Sequence, residues 1–312
     1  MTRMITCLLF AFSLHLSAQS QGSYIIPDSV QRIVFLGNSI TYAGQYVSYI
    51  EACLRLAYPH RKFEVINVGL PSETVSGLSE TNHADGKFPR PDLRERLDRV
   101  LAQTQPDLVF ASYGMNDGIY LPFDDTRFQA YKEGINWLHR EVSKSGAAIV
   151  HLTPPVFDER KGVAYANVLD IYSDWLISNR YTKDWNVADV HGPMKKHLED
   201  RRLIDPDFKY ASDGVHPDKT GHWIMAKAIL AYLGLNELAR ADSAGEAVST
   251  ASNGEKILQL IEERQAIMKD AWLTATGHTR PGMKEGLPLK EALAQSAEFE
   301  KALGKLMEGL RF

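Results

Sequence analysis

The chain has 312 residues, 35 basic against 39 acidic side chains, and a net charge of −4 with both signs interspersed. That length supports one large or two small domains with a substantial core. No basic stripe or aromatic-basic interleaving suggests nucleic acid, and the apolar and charged fractions are those of a soluble globular protein.

In chain order, residues 1–20 read first as a secretory signal peptide. Arg3 gives a positive start, Ile5–Leu16 is mostly apolar, and Ala18-Gln19-Ser20 offers small residues for cleavage. The apolar run is too short to span a bilayer. Cys7 lies early in it, which argues against lipid attachment there. The expectation is an exported protein, periplasmic or extracellular, with no membrane span. After cleavage Cys53 is the one thiol left, so no internal disulfide forms and stability must come from the core. Cys53 lies in the helical apolar pattern of Val47, Ile50 and Leu54 and reads as an inert buried thiol.

From Val30 to Gly234 strand-like and helix-like segments alternate. The strand candidates are Ile33–Leu36, Phe63–Val68, Leu108–Tyr113, Ala147–Leu152 and Trp185–Val190. Helical patterns lie between them at Tyr46–Tyr58, Asp92–Gln103, Thr126–Ser145 and Ala164–Arg180, with a closing helix at Thr220–Leu233. Leu93, Leu97, Val100 and Leu101 form one apolar helical face, and Gly146 ends the third helix as a C-terminal glycine should. Alternating βα units imply a parallel sheet with right-handed crossovers and helices on both faces, a three-layer α/β/α sandwich. Three long connections follow strand carboxyl ends and should rim a site there: Gly69–Arg90, Gly118–Asp125 and Thr153–Gly162.

Candidate chemistry gathers at the same strand ends. Gly37 ends the first apolar run, and Asn38 and Ser39 follow it. A serine hydroxyl is a weak nucleophile until a base takes its proton, and an oriented histidine is the usual base. Asp213-Gly214-Val215-His216-Pro217 supplies an imidazole and a carboxylate three residues apart, just before a helix. Gly114-Met115-Asn116-Asp117 follows a third apolar run and offers an amide donor for an oxyanion. Singly these residues read as a helix cap, a structural histidine and turn residues. Together they read as catalytic, with Asp117 holding its loop.

Four blocks in order, GNSIT at 37–41, NVGLPSET at 67–74, GMND at 114–117 and DGVHP at 213–217, give the chain a resemblance to the SGNH (GDSL-type) hydrolases. The resemblance covers about residues 30–234. It implies a five-stranded flavodoxin-like sheet, Ser39 as nucleophile, His216 as base and Asp213 orienting His216. It further implies an oxyanion hole built from Ser39 N–H, Gly69 N–H and the Asn116 side chain. The first block departs from the family's usual Gly-Asp-Ser, since Asn38 stands at the Asp, which bears on local hydrogen bonding and on substrate preference. Thr41 stands where a G-x-S-x-G elbow needs its second glycine, which disfavours the α/β-hydrolase elbow. The implied activity is a serine esterase, using neither cofactor nor metal, that acts on short acyl esters, acetyl above all, of a small-molecule or glycan substrate. Activity should rise with pH as His216 loses its proton. The alternatives are a lipase or thioesterase of the same family, or a non-catalytic carbohydrate-binding protein of the same fold.

Other clusters compete less well. His83-Ala84-Asp85 and His191…His197 lack the second pair of ligands a zinc site requires. Asp158 and Glu159 could form a glycosidase pair, but nothing singles them out. Tyr120 and Phe123 could stack on a sugar ring, or could pack their loop on the core. Beyond Gly234 the composition shifts. Residues 235–254, rich in Ala, Ser, Gly and acidic residues, read as a linker to a helical hairpin over 255–312. Its helices span Glu255–Ala275 and Leu289–Leu310. Each carries an apolar stripe that needs a partner, so the hairpin is expected to pack on the core. Its turn, His278–Met283, is then expected near the cleft, with Arg280 as a substrate-contacting cation. The oligomeric state is not legible.

Overall fold

A computed structural model describes residues 23–308, so the segment expected to be a signal peptide and the last four residues lie outside it. Strand β1 is Arg32–Gly37, and helices α1 (Ser39–Ala43) and α2 (Gln45–Ala57) follow it. The chain continues through β2 (Glu64–Asn67), α3 (Leu97–Thr104), β3 (Leu108–Ser112), α4 (Asp125–Lys144) and β4 (Ala148–Leu152). Then come α5 (Val163–Thr182), β5 (Asn186–Ala188), α6 (His191–Ile204) and α7 (Lys219–Tyr232). The five strands are all parallel, in the order β2-β1-β3-β4-β5. This is the flavodoxin-like order that the resemblance implied, within the α/β/α sandwich expected from the alternating pattern.

Alternation along β1 explains the layers. Phe35 stacks on Phe110 of β3 at 5.0 Å and meets Tyr46 of α2 edge-on, and Tyr46 lies against His222 of α7. On the other face His151 of β4 stacks with His139 of α4, and Tyr131 of α4 stacks with Tyr172 of α5 at 4.2 Å. All five residues of β3 are buried, which is why it reads as a continuous apolar run rather than an alternating one.

The chain leaves β1 for β2 on one side and returns to β3 on the other. Their shared carboxyl end is therefore the switch point, where open sheets bind ligands. Gly37 pairs in register with Ser112, so the segments bearing Ser39 and Asn116 emerge side by side.

Several elements depart from the sequence reading. Helix α6 was not foreseen because only His191, Met194 and Leu198 of it are buried, too few to give an apolar period. The helix expected from Asp92 opens as a 3₁₀ turn, Leu93–Glu95, before α3 begins. The stretch read as a linker holds two short helices, α8 (Asn236–Ala239) and α9 (Ala244–Ser249). The Ser243 side chain caps α9 on Glu246 N–H, and Ala244, Ala247 and Val248 are buried. A composition of Ala, Ser and Glu describes a capped helix as well as a tether.

Helices α10 (Gly254–Thr276) and α11 (Leu289–Glu308) pack on each other, and α10 lies against α2 and the β2 edge. Gln265 Nε2 donates to Val65 O of β2 at 2.9 Å, so α10 covers an otherwise open strand edge. Ala52 and Leu56 join Val248, Ile257, Ile261 and Leu303 in a second apolar cluster beneath the hairpin. Cys53 is buried and burial pushes its thiol up to about 12, the chemistry of an inert side chain.

Candidate active site

Ser39 is the first residue of α1, and Asn38 caps that helix, its Oδ1 accepting Ile40 N–H at 3.2 Å. Asn38 is buried, and cap preference is about equal for Asn and Asp. The departure from Gly-Asp-Ser therefore keeps the local fold. Asn38, expected to bear on substrate preference as a substrate-binding residue, has its side-chain oxygen engaged in this cap.

The structure brings three distant side chains into one line. His216 Nε2 lies 2.9 Å from Ser39 Oγ, and His216 Nδ1 lies 2.6 Å from Asp213 Oδ2. The other Asp213 oxygen accepts the backbone N–H groups of Val215 and His216, each at 2.9 Å. Burial alone would raise the Asp213 carboxyl. The hydrogen bonds from the His216 ring and from the His216 and Val215 backbone hold it down at about 2. Asp213 is thus an ionised acceptor for Nδ1–H, which leaves Nε2 as the lone-pair nitrogen facing the hydroxyl. Both side chains are about half exposed, 52% for His216 and 51% for Asp213, so the triad opens directly to solvent.

The loop carrying the triad is braced from the Thr153–Gly162 connection. Asp158 N–H donates to Gly214 O at 3.0 Å. Arg202 of α6 bonds Asp158 at 2.8 Å and Glu159 at 2.6 Å, so both carboxylates of the considered glycosidase pair are held by this one guanidinium. The histidines weighed as metal ligands are engaged elsewhere. His83 bonds Glu80, His191 bonds Asp170 and Pro154 O, and His197 bonds Tyr210.

Asn116 is buried after β3. Its Nδ2 donates to Glu73 O at 3.1 Å, and its Oδ1 accepts from the Tyr120 hydroxyl at 3.0 Å. That pairing fixes which end of the amide is which and leaves one Nδ2 hydrogen free to serve an oxyanion. Tyr120 is thus tied to Asn116, with its ring against Tyr165 at 4.7 Å and under the Arg90 guanidinium at 5.3 Å. Phe123 packs on Phe128 of α4 at 5.6 Å and is otherwise exposed. Asp117 accepts Val75, Ser76 and Gly114 N–H groups at 2.8–2.9 Å and so joins two rim loops.

Gly69 departs from the role the resemblance implied. Its N–H is taken by Asn67 Oδ1 at 2.9 Å. A Cβ there would come 2.3 Å from Tyr42 N, so the glycine serves close approach to α1. The residue sequence reasoning missed is Ser72. Glu73 N–H donates to Leu70 O at 3.2 Å, closing a turn with Pro71 second and Ser72 third, at φ +68°. Pro then positive φ defines a type II turn, where glycine is usual. A serine held there is strained, and strain of this kind clusters at functional sites. Ser72 N–H is donated to no other described residue. The signal available in the sequence was Pro71 one position before Ser72.

Arg280 lies in the turn between α10 and α11, half-buried, its guanidinium 5.3 Å over the Phe88 ring of the Gly69–Arg90 connection. The hairpin turn therefore does reach a rim loop.

A serine, imidazole and carboxylate in hydrogen-bonded series beside amide donors, at the switch point of a parallel sheet, define a nucleophilic hydrolase site. A family model described as GDSL-like Lipase/Acylhydrolase matches residues 35–224, and the chain belongs to that family. An acetylxylan esterase of Geobacillus stearothermophilus is 24% identical over 229 residues, 66% of this chain and 95% of the relative. A catalytic mutant of that organism's acetylxylan esterase matches with TM-score 0.52 and 21% identity, over 65% of this chain and 94% of the other. An alpha/beta hydrolase enzyme from the metagenome of Lake Arreo, Spain, matches with TM-score 0.52 and 23% identity, over 66% and 96% of the two chains. A gut microbial diltiazem-metabolizing enzyme matches with TM-score 0.54 and 21% identity, over 68% of this chain but only 48% of its own length. These structures share the fold. With its family established, the chain is a carboxylic ester hydrolase.

Proposed function

We propose that the protein is an exported acetylesterase that removes short acyl groups from carbohydrate through an acyl-Ser39 intermediate. The observation that carries this reading is the series Ser39 Oγ, His216, Asp213, at 2.9 and 2.6 Å. Ser39 attacks the ester carbonyl as His216 Nε2 takes its proton. The oxyanion is met by Ser39 N–H and the free hydrogen of Asn116 Nδ2, with Ser72 N–H as third donor in place of Gly69. Protonated His216, steadied by ionised Asp213, passes its proton to the departing alcohol. Water activated by the same imidazole then releases the acid.

The acyl and alcohol preferences rest on other supports. The relative from Geobacillus stearothermophilus is called an acetylxylan esterase. An open, half-exposed triad suits a bulky hydrated alcohol and a small acyl group. Export rests on Arg3, the apolar run Ile5–Leu16 and Ala18-Gln19-Ser20.

The test is a series of p-nitrophenyl esters of rising chain length, run beside acetylated xylooligosaccharides. Acetate should give the highest kcat/KM, and acetate should be released from the sugar. A preference for octanoate with no release from the glycan would replace this reading with a lipase-type one.

A further inference from the structure

The buried arginines Arg96, Arg264 and Arg90 each face a carboxylate, Glu73, Glu51 and Glu80, and half-buried Arg202 faces Asp158. Arg280 does not. Among the described residues no acidic side chain lies within ion-pair distance of it. Its Nη1 donates to Pro281 O at 3.1 Å and meets Met283 Sδ at 3.0 Å, a weak acceptor. Its Nε is buried with no acceptor. Nη2 donates to no other described residue.

One contact path leads from the reacting serine's surroundings to this guanidinium, and the electrostatics of a neighbouring helix residue point the same way. On the nucleophile's side, Ser39 and Tyr42 stand three apart on α1 and so share a face. Burial and the Asp270 carboxylate push the Tyr42 hydroxyl up to about 12, with the charges of Lys284 and Arg280 opposing that rise. On the oxyanion side the path runs from Asn116 to Tyr120 at 3.0 Å, and from that ring to Arg90 at 5.3 Å. Arg90 bonds Glu80 at 2.6 Å, Glu80 bonds His83 at 3.3 Å, and His83 packs on Phe88, the ring beneath Arg280. Charge around Tyr42 is also unbalanced. Lys269 and Lys284 share the single carboxylate of Asp270, so with Arg280 three cations face one anion.

A partly buried, unpaired guanidinium is a costly feature unless something anionic completes it, and its planar fork matches a carboxylate. We propose that Arg280 binds a carboxylate on the alcohol part of the ester, so that the preferred substrates are acetylated acidic sugars of the uronic-acid type. This deepens, and rests on, the acetylesterase reading above.

The experiment measures kcat/KM of the full-length enzyme on acetylated methyl glucuronoside and acetylated methyl glucoside, with p-nitrophenyl acetate as a separate report on the esterase reading. One charge-assisted contact should favour the acidic sugar by roughly ten-fold or more. Added salt should shrink that ratio. In Arg280→Gln the ratio should fall to about one, with Arg280→Lys between the two. Equal rates on both sugars in the unmodified enzyme, or an undiminished ratio in Arg280→Gln, would overturn the proposal while hydrolysis of p-nitrophenyl acetate left the esterase reading standing. No turnover of p-nitrophenyl acetate would overturn both.

Discussion

Two carboxylates show how differently this molecule treats its front and its flank. Asp213, at the carboxyl end of the sheet, is half exposed and held at about 2 by local hydrogen bonds from a ring and two backbone groups. Glu51, under the C-terminal hairpin, is fully buried. Burial would raise it, yet Arg264 and Arg55 hold it below the ordinary range. Arg264 Nη2 lies 2.5 Å from Glu51, and Arg55 also reaches Glu300 of α11 at 2.6 Å. One acid is placed for chemistry by short-range geometry, and the other joins α2, α10 and α11. Changes at the front should therefore cost rate without stability, and changes at the flank the reverse.

The largest effect belongs to the nucleophile. Ser39→Ala or His216→Ala should remove on the order of 10⁴–10⁶ of kcat, the double variant should lose little more, and thermal melting should barely move. Steady-state kinetics beside a melting curve checks both halves. At the flank, Arg264→Met leaves Glu51 short of one partner. It should destabilise by about 3 kcal/mol, at the lower end for a broken buried pair because Arg55 remains. Denaturant unfolding would read that loss, and kcat per folded molecule should hold.

Asn116→Ala returns to the front, with an expected loss on the order of 10²–10³ in kcat and little change in KM. Tyr120→Phe should be milder, about ten-fold in kcat or less. It removes the bond that orients the Asn116 amide without removing the donor. A loss in Tyr120→Phe as large as that of Asn116→Ala would mean the hydroxyl itself meets substrate.

Acid should separate the two regions as well. The Asp213 carboxyl stays ionised down to about pH 2, so acidification to pH 4 should leave in place the acceptor that orients the His216 ring. Stability begins to fall earlier for a different reason. Burial lowers His139 and His222 to about 4 and His151 to about 3, so the unfolded chain binds their protons first. Stability should therefore decline as pH drops below about 6.5 and keep falling toward 4. The contribution of Asp213 is fully present above its ordinary 3.8 and is lost only as pH falls through about 2. Melting curves between pH 7 and 4 that did not move would show those histidines to be solvated.

How much of this was legible depended on whether the signal was local. Strands β1 and β3 announce themselves because both faces are covered, so their apolar runs are unbroken. Asp213 and His216 stand three residues apart because the carboxylate that orients the ring also accepts that loop's own N–H groups. The second block misled because a glycine invites the role of a free donor. Gly69 was needed for contact with α1, while the left-handed position fell to Ser72 behind Pro71. Helix α6 and the helices within 235–254 were missed because α6 and α9 bury three residues each and α8 buries none. No spacing in the sequence could show that Tyr120 would turn its hydroxyl to Asn116, since two consecutive positive-φ residues, Ile119 and Tyr120, set that direction.

The most direct test of the whole site is labelling by an organophosphonate probe, located by peptide mass spectrometry. One adduct per chain on Ser39, formed in step with loss of esterase activity and abolished in His216→Ala, is the expected result. An enzyme that stays active with Ser39 unlabelled, or carries its adduct on another residue, would contradict the central claim.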